Sequence, residues 1–376
     1  MLHHRQPLTS GRDSWDNLYG SDDTLFKQEG IMRHPLTVNV LLLSLLTSGI
    51  HVAVAEEKPQ QAQPDNPGNF NYSGYIEVIA AKPSAGKARL VLDEVSLFIT
   101  GHVNKWVNPF VETELSRITI LQAGGRLFSN NSGIVDLERL YNDSYLTGNL
   151  SLRVGKMLTP IGEWNLVHAA PLVWTTTRPL TTYRSFNQFT SGISLNYADA
   201  NSALPEIQLY TQPDGEILPK RGFQFVRNYL HVTGLHLNWP WGLNDKLGLS
   251  FQHSQVENTD EQQTLSGFNF NKEFGHLAFE TEAVHAHISG LNAARVRDNE
   301  WGAYLQGAYA LNEHWYLLGR YEYFADRGYD TASEHSLLGV SYKSAPSTVW
   351  KLEYVKQHGQ QLNISTGLFA SFSAFF

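Results

Sequence analysis

The chain has 376 residues, no cysteine, 17% charged residues and a formal net charge of −8. The missing cysteine excludes a disulfide framework or a thiolate metal centre, and the net acidity argues against nucleic acid as a partner. The charged fraction is low for a soluble surface of this size. A mean hydropathy of −0.29 excludes a bundle of membrane helices but leaves a barrel of strands open, because half of each such strand faces water.

Residues 1–31 are polar, mixed in charge and without periodicity, which reads as an over-long translation start or an extended leader outside the folded product. Met32-Arg33-His34 then opens a different text: a basic start, an apolar run over 36–50, and Ala53-Val54-Ala55. That order spells a secretory signal peptide over 32–55, cleaved after Ala55, with Ala53 and Ala55 as the small cleavage-site residues. The apolar run is too short for a comfortable membrane span. Residues 56–68 hold Gln, Pro, Asn and Lys and read as a flexible mature amino terminus.

From Asn69 onward the pattern changes to segments with a period of two, divided by Gly, Asn, Asp and Pro clusters. Sixteen strands are predicted: 70–81, 88–100, 106–119, 133–143, 147–156, 189–198, 204–212, 228–239, 245–256, 263–271, 275–287, 299–310, 314–325, 335–344, 348–357 and 367–376. Their connections alternate between short turns such as 199–203 and 311–313 and longer ones such as 120–132, 157–188, 213–227 and 326–334. An even strand number with alternating turn lengths is the expectation for a membrane barrel.

Alternation also assigns faces. Trp350, Leu352 and Tyr354 share one side of a strand, and Lys351 and Glu353 the other. Trp315, Leu317, Tyr321 and Tyr323 oppose Arg320 and Glu322, while Val111, Thr113 and Leu115 oppose Glu112 and Glu114. Charges therefore fall on one parity, as they must if the other meets lipid, where a charge near the midplane costs about 2–4 kcal/mol. The final strand, G-L-F-A-S-F-S-A-F-F, ends on Phe376 with an uncharged apolar face. A soluble protein would leave it as an adhesive edge; a closed barrel gives it neighbours on both sides.

The longest connection, 157–188, is rich in Trp, Leu, Val and Pro. A structureless segment of that length is normally functional, and its apolar content calls for burial inside the barrel, where it would narrow a channel. Arg153-Val-Gly-Lys156 followed by Pro160-Ile-Gly162, this long third loop and the terminal Phe376 together resemble the bacterial outer-membrane porin superfamily, most closely its phosphate-selective (O/P-like) type. The resemblance covers the chain loosely from about Asn69. It implies an all-β transmembrane antiparallel barrel with an inward-folded third extracellular loop, in the bacterial outer membrane. It further implies a homotrimer passing small hydrophilic solutes or ions, with neither catalysis nor cofactor. Outer-membrane lipid and the barrel assembly machinery are the other expected partners, Phe376 being the candidate assembly signal.

Candidate constriction residues are Arg153, Arg320, Lys351, Glu112, Glu114, Glu322 and Glu353 on the walls and Arg178, Arg184, His168 and Trp174 in the loop. Glu residues outweigh the cations, which does not look like an anion-selective ladder, so phosphate is not carried over as the solute. Each loop Arg either contributes to a field across the pore or holds the loop by a salt bridge. Trp164, Trp174 and Tyr183 either stack on a solute or wedge the loop against a wall, and wedging is the expectation. His285-Ala-His287 places two rings on one face without an evident third ligand. Two other readings stay open: a non-conducting barrel with a structural or adhesion role, and an outer-membrane hydrolase.

Overall fold

The computed structural model describes residues 68–128, 133–220, 227–242 and 244–376. The expected leader, the signal peptide with Ala53 and Ala55, and the amino-terminal stretch 56–67 lie outside the described residues.

Sixteen strands follow one another: β1 Asn69–Pro83, β2 Arg89–His102, β3 Pro109–Gln122, β4 Ile134–Tyr145, β5 Leu150–Leu158, β6 Phe189–Tyr197, β7 Glu206–Gln212 and β8 Tyr229–Pro240. The second half comprises β9 Lys246–Val256, β10 Gln262–Phe274, β11 Leu277–Ser289, β12 Asn299–Ala310, β13 Trp315–Ala325, β14 Ser333–Ala345, β15 Thr348–Gly359 and β16 Gly367–Phe375. Each pairs antiparallel with the next, and β16 closes on β1 from Tyr75↔Phe375 to Pro83↔Gly367, so the sheet has no free edge.

The seam shows why the chain ends on an aromatic residue. The Gly74 and Phe376 backbones exchange two hydrogen bonds of 2.9 Å. The Phe376 ring lies over Gly74, where any Cβ would come within 2.6 Å of it. A ring covering a glycine in this way supplies the packing that the glycine lacks.

The two faces follow the period of two. On β15, Trp350, Leu352 and Tyr354 are 51%, 49% and 46% exposed, whereas Lys351 and Glu353 are 3% and 1% exposed. Outward rings pair across neighbouring strands, Trp315 with Tyr342 at 4.6 Å and Trp350 with Phe372 at 4.5 Å.

Alternation breaks at β-bulges on β2 to β4. Register skips Asp93 between β1 and β2, Ile120 between β2 and β3, and Glu138 between β3 and β4, so Glu138 and Arg139 are both buried on the inner side. The apolar core lies inside the cylinder. Leu180 and Tyr183 pack on Leu318, Phe324, Leu337, Val355 and Phe369, and Ile161 and Phe186 on Leu265, Val284 and Ile288.

Leu338, 74% exposed in the middle of β14, tests the lipid-facing assignment. Leu338→Arg should lose about 2–4 kcal/mol of folding stability in phosphatidylcholine vesicles, read by guanidinium titration. An unchanged midpoint would show that this face does not meet hydrocarbon.

Candidate functional site

Beyond the end of β5, which takes in Met157 and Leu158, the loop over 159–188 has no regular structure other than a 3-10 turn at Leu180–Thr182, so its backbone polar groups need partners elsewhere. The inner wall supplies them. At Gly162 (φ 69°) the loop passes so close to Glu282 of β11 that a Cβ would collide with the carboxylate. The next two amides, Glu163 and Trp164, donate to Glu282 Oε1 at 3.1 and 2.7 Å. Thr176 and Thr177 donate their N–H groups to Glu353 of β15 at 2.9 and 2.8 Å, and Thr181 donates its own to Glu322 of β13 at 3.0 Å. Cations do the reverse: Arg320 donates to Thr177 O at 2.6 Å and Thr175 Oγ1 at 2.7 Å, and Lys351 to Ala170 O at 2.7 Å.

At the long-loop end Arg184 Nη2 meets Asp326 Oδ2 at 2.7 Å and Arg184 Nη1 donates to Asn363 Oδ1. Arg227 joins from the β7–β8 connection, 3.0 Å from Asp326 and 3.4 Å from Glu300. Ser185 donates to Glu300 at 2.6 Å, and Gln263 to the Ser185 carbonyl at 2.6 Å. Burial alone would raise the Asp326 carboxyl, but the Arg184 and Arg227 guanidiniums hold it well below the usual carboxylate range.

The opposite wall, β2 to β4, is acidic. Glu112 pairs with Arg139, while Glu114 and Glu138 pair with Lys220, which reaches in from connection 213–227. Residues 213–220 therefore also enter the barrel: Glu216 meets Lys156 at 2.8 Å, and Lys156 donates to Leu218 O at 2.6 Å. Burial lowers the Lys220 ammonium, yet Glu114 and Glu138 bring it well above its ordinary value, so it stays charged.

The candidates thus separate by environment. Arg320, Glu322, Lys351 and Glu353 are buried and spent on the loop. Arg184 is buried in an ion pair, and Arg153 is paired with Asp143 at 2.8 Å and sits over Tyr141. Trp174 wedges against Tyr316 at 5.0 Å with Lys343 at 4.3 Å, and Trp164 and Tyr183 are buried. Arg178 differs. Half-buried, it is held inside the loop by Thr182 and Asn165 at 2.8–2.9 Å, with no carboxylate in ion-pair contact among the described residues. Burial pulls its guanidinium down to about 10, and Tyr183, Glu282, Glu94 and Glu138 act against that from longer range. His168 lies 3.6 Å from Glu138. His285 and His287 share Asn299 on the outer face, with Trp301 stacked on His285 at 4.0 Å.

Glu138, Lys220, Arg227, Glu300 and Asp326 were not singled out from sequence. Parity would have placed Glu138 inside with Asp136 and Glu300 inside opposite Trp301; nothing local marks Lys220, Arg227 and Asp326 as internal. On the short-turn side of the loop lies a chamber of about 370 Å³ bounded by Phe98, Phe110, Trp164, Leu166, Trp174, Glu280 and Lys343.

No protein-family model matches the chain, and no curated protein matches it. Solved structures do. In-vitro folded OmpT of Vibrio cholerae in its trimer form is 12% identical with a TM-score of 0.59, over 83% of this chain and 100% of that one. Salmonella typhi OmpF in complex with daunomycin is 10% identical, TM-score 0.59, over 82% and 97%. The anion-selective porin from Comamonas acidovorans is 13% identical, TM-score 0.56, over 82% and 100%. At these identities the likeness is one of fold, that of an outer-membrane porin barrel.

Asp326→Asn should cost about 3–5 kcal/mol at neutral pH by leaving Arg184 buried without its counter-ion. Because the folded value lies below the unfolded one, the wild-type advantage is full above about pH 4 and shrinks as pH falls further. Guanidinium midpoints of both proteins across that range check it; a gap independent of pH would be wrong for this assignment.

Proposed function

We propose that this chain is an outer-membrane channel for passive diffusion of small hydrophilic solutes or ions, narrowed by loop 157–188. Arg178 carries the reading. It is a loop charge without a contacting carboxylate among the described residues, acted on from longer range by Glu282, Glu94 and Glu138, while Arg184 of the same loop is paired. Such an arrangement makes a field across the passage, which orders polar solutes and excludes apolar ones. The loop's fixation to alternate strands suits a rigid constriction.

The acidic wall gives the passage a cation preference. The resemblance to the phosphate-selective type supplies no phosphate ladder, because Arg153 is engaged with Asp143 and Lys156 with Glu216. Residues 32–55 would direct export, with cleavage after Ala55. A homotrimer is part of this reading, supported by the trimer form of a barrel of the same fold. A second reading, a sealed barrel with a structural or adhesion role, is favoured by one observation: residues 213–220 also insert, carrying Lys220 into the lumen.

Protein refolded into planar bilayers should give stepwise conductance, with a reversal potential in a KCl gradient favouring K⁺. Arg178→Ala should alter conductance and raise the cation preference. Absence of steps from folded protein would favour the sealed barrel, and an Arg178→Ala channel identical to wild type would remove the loop from the constriction.

A further inference from the structure

We propose that Glu112, Glu138 and His168 form a site for a divalent transition-metal ion that ties loop 157–188 to the barrel wall. The three come from separate elements: Glu112 from β3, Glu138 from the bulge on β4 and His168 from the loop. One ligand atom of each lies within 4.8 Å of the others. The side chains are 0%, 0% and 8% exposed, so the site is shielded from bulk water.

The neighbouring cations leave the inward atoms unused. Arg139 takes Glu112 Oε2 and Lys220 takes Glu138 Oε1. Glu112 Oε1, Glu138 Oε2 and both His168 ring nitrogens have no hydrogen-bond partner. Buried polar atoms are seldom left so. One imidazole nitrogen with carboxylate oxygens is a borderline donor set that suits Zn²⁺ or Co²⁺; Ca²⁺ and Mg²⁺ prefer oxygen alone.

Such an ion would clamp the loop to the acidic wall of the proposed passage. That consequence rests on the channel reading; binding does not, so it is measured without conduction. Zn²⁺ alone, titrated by calorimetry into refolded protein, should bind one per chain. His168→Ala and Glu112→Gln should each weaken binding on the order of tenfold or more, whereas His285→Ala with His287→Ala should leave it unchanged. No saturable heat up to about 1 mM Zn²⁺ would overturn the site. So would affinity that survives His168→Ala and Glu112→Gln, or that is lost with the outer-face histidines. Co²⁺-loaded wild type gives a reading that needs no variant: a visible spectrum of protein-ligated Co²⁺ is expected, and an aqua-ion spectrum counts against the site.

Discussion

The structure depends on wall carboxylates capping the amides of a loop that has almost no secondary structure. Backbone groups taken into a barrel lose water and must find partners. Loop 157–188 makes few of its own, so Glu282, Glu322 and Glu353, on β11, β13 and β15, accept its N–H groups. A carboxylate accepting two amides is a charge-assisted contact, stronger than a neutral one. Removing a partner leaves buried donors whose desolvation is uncompensated, at about 1–3 kcal/mol each. The loop's position is thus set by the strand ladder, the most rigid part of the molecule.

Apolar packing and this polar capping cooperate. Leu180, Tyr183, Ile161 and Phe186 bury themselves against inward aliphatic residues of β10 to β16, which presses the loop to that side. The far side, β2 to β4, is left acidic and meets Lys220 and His168. Burying unlike charges costs desolvation that only close pairing repays. The pairs Arg184–Asp326, Lys156–Glu216 and Lys220–Glu138 fit that rule, and Arg178 stands outside it. A charge held only by neutral groups is available to act on something passing, which is why the functional reading centres there.

Much of this was legible in the chain. The strand of 348–357 was predicted where β15 lies, and its alternation separated Lys351 and Glu353 from Trp350 and Leu352 because side-chain direction in a strand is a local property. The length and apolar content of 157–188 pointed to burial for an equally local reason. The bulges at Asp93 and Glu138 were not legible: one extra residue reverses parity, and its presence depends on the partner strand. The inward path of 213–220 is not legible because Glu216 and Lys220 look like surface charges until Lys156, Glu114 and Glu138 are placed beside them.

By itself, then, the amino-acid order determined a ring of alternating strands, which residues point inward along most of them, and which connection is too apolar to stay in water. These follow from covalent geometry and from transfer between water and an apolar phase, both acting residue by residue. Only the closed tertiary structure decided which inward charges neutralise one another, that Arg178 meets no carboxylate among the described residues, and that Glu112, Glu138 and His168 converge. Ion pairing reaches a few ångströms through space between segments far apart in the chain, and no local pattern encodes which of those segments become neighbours.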